Sequence, residues 1–171
     1  ARSATIGGWV MGSGLGIGSL MYGALREHLL SVEMVFADGS VRTFTRDGGL
    51  EGLCETEGIL GVVTAVSLAV RTKPAGSFPE LVHFREMKDL FDFVTELVSA
   101  EMGPYAVEIF DDRYLGLVGP SGRAGVTDGA AGGGSVLATW EGGGAKPETG
   151  RKVVESLARR YRGEIRDGAV D

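Results

Sequence analysis

The chain has 171 residues, 43% of them hydrophobic and 23% charged, enough for one domain or two small ones. Its 17 Lys and Arg against 23 Asp and Glu leave a net charge of −6. With no basic stripe, nucleic acid and anionic membrane surfaces are poor partners. The single cysteine, Cys54, excludes an internal disulfide and fits a reducing compartment.

Glycine is the compositional anomaly, with 29 residues against a usual share of about 7%. It is concentrated first in Thr5-Ile6-Gly7-Gly8 and the run Gly12-Ser13-Gly14-Leu15-Gly16-Ile17-Gly18, closed by Tyr22-Gly23. Such a backbone can take positive φ, approach a ligand closely and turn its amides toward an anion. The glycine spacing does not satisfy G-x-G-x-x-G, which disfavours a Rossmann site, and no Walker lysine follows. On spacing alone a ligand-free flexible loop is an equal reading.

Leu29 to Thr45 reads as a β-hairpin. Val32, Met34 and Phe36 alternate with Glu33, Val35 and Ala37, and Asp38-Gly39 favours a two-residue type I′ turn. After Glu57-Gly58-Ile59-Leu60, Gly61 to Arg71 is apolar on both sides, as for a strand buried on both faces. The longest apolar stretch, Ile59 to Val70, is interrupted by Gly61, Thr64 and Ser67 and is too short for a membrane helix of about 20 residues. No signal-peptide pattern opens the chain. Lys73-Pro74-Ala75-Gly76-Ser77 reads as a linker.

From Pro79 the pattern becomes β-α-β-β-α-β. Leu81 to Phe84 is a strand, and Met87, Leu90, Phe91, Val94, Leu97 and Val98 form a helical stripe stopped by Met102-Gly103-Pro104. Ala106 to Phe110 and Val136 to Trp140 are strands flanking a mobile loop expected over Gly119 to Gly134. Pro147 opens a second helix with Val153, Val154, Leu157, Ala158 and Tyr161 inward. Gly163 is its expected C-cap, and Glu164-Ile165-Arg166 starts a last strand. His28, His83 and Cys54 share no ligand spacing, so no metal site is expected; Trp9 and Trp140 read as packing aromatics, and no Ser-His-Asp arrangement stands out.

Four segments in this order carry a resemblance: Ala4-Thr5-Ile6-Gly7-Gly8, Tyr22-Gly23, Val32-Glu33-Met34-Val35 with Ala37-Asp38-Gly39, and Glu57-Gly58-Ile59-Leu60-Gly61-Val62-Val63-Thr64. Together they resemble the FAD-linked oxidases of the vanillyl-alcohol oxidase (PCMH) type, in particular the glycolate oxidase D-subunit and D-lactate dehydrogenase group. The resemblance implies an α+β chain: the second half of a PCMH-type FAD-binding domain over residues 1–75, then a partial ferredoxin-like substrate or cap domain over 76–171. Glu108-Ile109-Phe110-Asp111 matches a segment of that cap. Because the family's upstream pyrophosphate loop and its C-terminal His-bearing region have no counterpart here, the chain reads as an internal fragment, inactive alone.

Carried over by position, the cofactor-binding residues are Thr5, Gly7, Gly8, Met11, Gly12, Ser13, Gly14, Tyr22, Gly23, Gly61 and Val62. Thr5, Gly7 and Gly8 fall beside the ribityl and pyrophosphate portion, Met11 to Gly14 near the ring, and Gly61-Val62 on the adenine side. Relatives often carry Thr-Asn where Gly12-Ser13 stand, which shortens the polar reach. Glu57 caps backbone amides at its turn or stays a solvated acid. The implied complete enzyme passes a hydride from a small substrate, such as a 2-hydroxy acid, to flavin, and an unidentified electron acceptor reoxidises it. No catalytic residue is assigned. A partner subunit and a cytoplasmic location, with peripheral membrane association left open, complete the expectation. A reductase of the sterol Δ24-reductase type and a degenerate, non-catalytic subunit are the alternatives.

Overall fold

The computed structural model describes residues 4–12, 14–100, 103–118, 132–143 and 146–166, in two compact units, Ala1–Lys73 and Pro74–Asp171. In the first, the start of the glycine-rich opening is helical, while residues 14–18 form coil and turn. Ile6–Gly12 is a helix, α1, capped by Thr5, whose Oγ1 accepts the Gly8 amide at 3.1 Å while its carbonyl accepts Trp9 N at 3.0 Å. Each helical glycine disfavours such a helix by about 1 kcal/mol relative to Ala. Tertiary burial offsets this: Val10 and Met11 are inside the core with Leu25, Leu29, Val32, Met34, Leu50 and Leu53. Two single-turn helices, α2 (Ser19–Tyr22) and α3 (Leu25–His28), follow, joined through Gly23 at φ 80°.

Strands β1 (Leu29–Val35), β2 (Val41–Thr45) and β3 (Val62–Leu68) form an antiparallel sheet in the order β2-β1-β3. Val35 pairs with Val41 on one side and Val62 on the other. The hairpin exists, with a different turn from the one expected. Gly39 N donates to Phe36 O and Phe36 N to Ser40 O, both at 2.9 Å, and Gly39 alone has positive φ. A three-residue loop with a left-handed glycine at its end results, because Ala37 and Asp38 stay outside the left-handed region that type I′ requires of both central residues. β3 is shorter than expected and lies at the sheet edge, with Val62, Thr64, Ala65 and Ser67 exposed, so it is not buried on both faces.

The second unit is β4 (Gly76–Phe84), α4 (Met87–Ser99), β5 (Ala106–Asp111), α5 (Asp112–Val118), β6 (Gly134–Gly142), α6 (Lys146–Arg160) and β7 (Glu164–Arg166). Its antiparallel sheet runs β5-β6-β4-β7, the ferredoxin-like order, with α5 as an addition. β4 and β6 pair without a break from Gly76↔Gly142 to Phe84↔Gly134, so strand begins inside the expected linker. Val82, Phe84, Val136, Ala138 and Trp140 alternate onto the face covered by Leu90, Phe93 and Leu97 of α4 and Val154, Leu157 and Ala158 of α6. α4 buries Phe93 where Phe91 and Val98 were expected; those two lie on the flank and are exposed. Asp111 caps α5, accepting the Tyr114 amide at 2.6 Å, and the loop expected over Gly119 to Gly134 falls for residues 119–131 outside the described residues. The left-handed residue ending α6 is Arg162, at φ 58°, rather than Gly163. Gly163 N donates to Ala158 O at 2.8 Å, and a Cβ there would meet Phe84 and Val82 at 2.6 and 2.7 Å, so that glycine is demanded by packing. Arg162 instead binds the buried Asp89 carboxylate at 2.6 Å.

Candidate functional site

The first unit folds two distant stretches into one groove of about 570 Å³. Thr5, Gly7, Gly8, Met11 and Gly12 come from α1 and its cap; Glu57, Gly58, Gly61, Val62 and Val63 come from the turn into β3. The two stretches are joined at one point: the Glu57 amide donates to Met11 O at 3.0 Å, at the end of α1. Glu57 reaches that position with φ 51°, a left-handed conformation unfavourable for a residue bearing a Cβ. Thr56 reinforces the join, its hydroxyl donating to Leu53 O at 2.9 Å and lying 3.4 Å from Met11 Sδ. Glu57 therefore serves the turn through its backbone, while its side chain is exposed.

Half of the groove lining is glycine, and the individual glycines differ in what requires them. A Cβ on Gly12 or Gly58 would meet no atom within 4 Å, so these two leave open space on the groove side. A Cβ on Gly8 would sit 3.1 Å from Thr5 Oγ1, crowding the cap. At Gly61 it would collide with Val35 O and lie 3.0 Å from Met34 Cγ. The glycine at 61 is thus required by the chain's own β1 as well as lining the groove. Gly7 lies 3.7 Å by the same measure from Val63 Cβ, ordinary contact. Among the described residues that line the groove the only charged side chain is Glu57, so within that lining a bound anion would depend on backbone amides and the Thr5 hydroxyl.

Of the eleven residues singled out by sequence, seven line this groove. Ser13 lies outside the described residues. Gly14 sits under the Trp9 ring, and its carbonyl accepts the indole N–H. Tyr22 and Gly23 are not brought into the groove. They line a second pocket of about 450 Å³ with Trp9, Gly16, Leu25, Leu68 and Arg71 among its walls. There Arg71 lies over the Tyr22 ring at 3.9 Å, and His28 Nε2 donates to the Tyr22 carbonyl.

A third, polar pocket holds Arg26, Arg46, Leu50, Cys54 and three glutamates. Arg26 pairs with Glu55 at 3.0 Å, and Arg46 donates to the carbonyls of Leu29 and Glu27. Burial raises the Cys54 thiol above its ordinary pKa, with Arg26 opposing. In the second unit the sheet face opposite the helices brings together a cluster that sequence spacing could not reveal. His83 and Ser135 are register partners on β4 and β6, with Nδ1 and Oγ 3.1 Å apart, and Asp112 Oδ1 lies 3.9 Å from the same nitrogen. Because serine and aspartate face one ring nitrogen, this is not a nucleophilic triad, which uses both. Among the described residues no group of three or more His, Cys, Asp or Glu is placed to hold a metal, and no helix is long and apolar enough to cross a membrane.

Residues 1–45 match a family model described as FAD binding domain. The chain is 31% identical over 123 residues to D-lactate dehydrogenase of Archaeoglobus fulgidus, covering 67% of this chain and 28% of that protein. It is 27% identical over 126 residues to the mitochondrial D-lactate dehydrogenase (cytochrome) 1 of Saccharomyces cerevisiae, covering 69% and 22%. With glycolate oxidase subunit GlcD of Bacillus subtilis it shares 26% identity over 125 residues, covering 67% and 26%. The chain thus spans about a quarter of the length of these relatives. Among solved structures, an alkyldihydroxyacetonephosphate synthase superposes on 96% of the chain and 34% of its own length, with a TM-score of 0.76 and 19% identity, which establishes a common fold. The match over residues 1–45 places an FAD-binding domain segment in the chain, its fold is that of the PCMH-type FAD-binding proteins, and FAD is the cofactor that the matched domain names.

Proposed function

We propose that residues 1–75 are the C-terminal half of an FAD-binding domain and residues 76–171 the beginning of a cap or substrate domain. The longer protein so composed would oxidise a small 2-hydroxy acid of the D-lactate or glycolate kind, as the names of its relatives support. The observation that carries the reading is the meeting of residues 5–12 with residues 57–63 in one glycine-walled groove. Its open positions at Gly12 and Gly58 fit a bulky ligand lying against bare backbone. Flavin, when bound, supplies the acceptor for the hydride. Within this chain, Thr5, Gly7 and Gly8 would hold the phosphate and ribityl portion, Met11 and Gly12 would border the ring, and Gly61-Val62 the adenosine side. The Glu57 to Met11 hydrogen bond fixes the groove width by tying its two walls together. The Glu57 side chain is exposed, so water weakens the repulsion between its carboxylate and a bound pyrophosphate.

Gly12→Ala tests this with little disturbance of the fold, because a Cβ added there meets no described atom within 4 Å. Titration of the full chain with FAD, followed by flavin fluorescence, should give a dissociation constant above about 1 μM and one at least about tenfold weaker for the variant. Equal affinities in two equally folded samples would take the groove out of the flavin site.

A further inference from the structure

The turn that carries Glu57 has a geometry its sequence does not favour. Ile59 N donates to Thr56 O at 3.0 Å across Glu57 and Gly58, whose φ values are 51° and 79°. Two positive φ values inside a closed four-residue turn define type I′, the geometry that Asp38-Gly39 does not adopt. Such turns take Asn or Asp before the glycine, and glutamate there is unfavourable. Glu55, just before Thr56, is left-handed as well, at φ 69°. Contacts outside the turn must therefore hold it. On one side Arg26 binds the Glu55 carboxylate at 3.0 Å. On the other, Glu57 N meets Met11 O, one of the carbonyls that the end of α1 leaves without a partner inside the helix. Thr56 stands between them, half-buried, while both glutamates are exposed.

We infer that Thr56 is the positioning residue that sets the width of the glycine-walled groove. Its effect on flavin binding rests on the proposed function; its effect on the turn does not. The Thr56 hydroxyl donates to Leu53 O at 2.9 Å and so anchors the first residue of the turn to Leu50–Leu53, a tight helical turn whose two leucines are core residues. The same oxygen lies 3.4 Å from Met11 Sδ, so one side chain reaches from the turn to α1. With Thr56 anchored, the Glu57 amide is delivered to Met11 O, which keeps Val63 beside Gly7 across the groove. Without the hydroxyl, the left-handed residues relax toward negative φ, and the Glu57 N–H rotates away from α1. The groove then loses the setting of one wall. A ligand must reorder the turn before it can bind, and its affinity falls by that ordering cost.

Thr56→Val removes the hydroxyl and keeps the shape, whereas Thr56→Ser keeps the hydroxyl. Amide hydrogen exchange without ligand and titration with FAD are read on the full chain for both. In Thr56→Val the Glu57 amide should exchange at least about tenfold faster, with the Val32 and Met34 amides of β1 unchanged. FAD should bind about tenfold more weakly to the same sample, and Thr56→Ser should restore both values. Equal Glu57 exchange in parent and Thr56→Val overturns the assignment, as does acceleration spread evenly over β1, which a merely structural role would give. Unchanged FAD affinity beside a faster Glu57 amide overturns it too. A parent chain that binds no FAD removes the flavin reading of the groove, and Glu57 exchange then decides on Thr56 alone. Should Thr56→Val fail to fold, Thr56→Ala takes its place, and an unprotected Glu57 amide in the parent overturns the assignment whatever the variants do.

Discussion

The second unit covers one face of its sheet with two helices and, among the described residues, gathers a core of eleven buried residues that includes Phe84 and Phe93, whose rings lie 5.0 Å apart. The first unit has a three-stranded sheet and, among the described residues, a core of eight buried residues, and leaves Leu15, Ile17, Ile59, Val62 and Val70 exposed. Its concavities are walled by glycine and by turns, with two of the chain's left-handed non-glycine residues, Glu55 and Glu57, between the β-hairpin and β3. In one unit side chains determine the shape; in the other, the absence of side chains does. Substitution should therefore damage the first by adding atoms and the second by removing them.

The largest effect is expected from Phe93→Ala. Loss of a fully buried ring should cost about 3–5 kcal/mol, confined to the second unit. Because each unit has one tryptophan, fluorescence unfolding resolves them, and Trp140 should report an earlier transition while Trp9 does not. Displacement of both signals together would erase the distinction between the units.

A smaller, opposite case is Gly61→Val. The added atoms collide with Val35 O and crowd Met34, so overpacking of about 1–3 kcal/mol should lower the Trp9 transition and spare that of Trp140. Full stability of this variant in apoprotein melts would mean that the β1 carbonyl does not demand the glycine.

The least effect is a pH dependence at Cys54. With its folded pKa raised by burial, the thiol contributes stability that is fully present below the unfolded pKa of about 8.5 and is lost as pH rises through the folded value. Parent and Cys54→Ala should therefore begin to diverge as pH rises past the unfolded value of about 8.5, the parent losing the more. Equal alkaline slopes in the Trp9 signal would remove this contribution, and iodoacetamide labelling against pH checks the same shift directly.

The second unit was more legible in sequence than the first. Helical stripes and alternating strands signal a core through residues that are present, so the β-α-β-β-α-β pattern could be read directly, although Phe91 and Phe93 were exchanged between flank and core. α5 escaped notice because its one cap, Asp111, follows directly on a strand. In the first unit the glycines announced a close approach without saying of what. Thr5 and Gly8 make a helix cap, Gly14 and Gly16 seat Trp9, and Gly61 clears Val35. Only long-range contacts separate these roles, and no local pattern encodes them. The His83, Ser135 and Asp112 cluster is equally illegible, since strand register alone joins positions so far apart.

The order β5-β6-β4-β7 has a consequence for synthesis on the ribosome. The first two strands of the second unit to emerge, β4 and β5, are not neighbours; each pairs with β6, and β4 pairs on its other side with β7. No ladder of this sheet can form until Gly134–Gly142 has left the exit tunnel, and the sheet is incomplete until Glu164–Arg166 follows. Until then β4, with Leu81, Val82 and Phe84, remains an unpaired apolar segment of the kind that chaperones bind, and closure awaits contacts of long sequence separation.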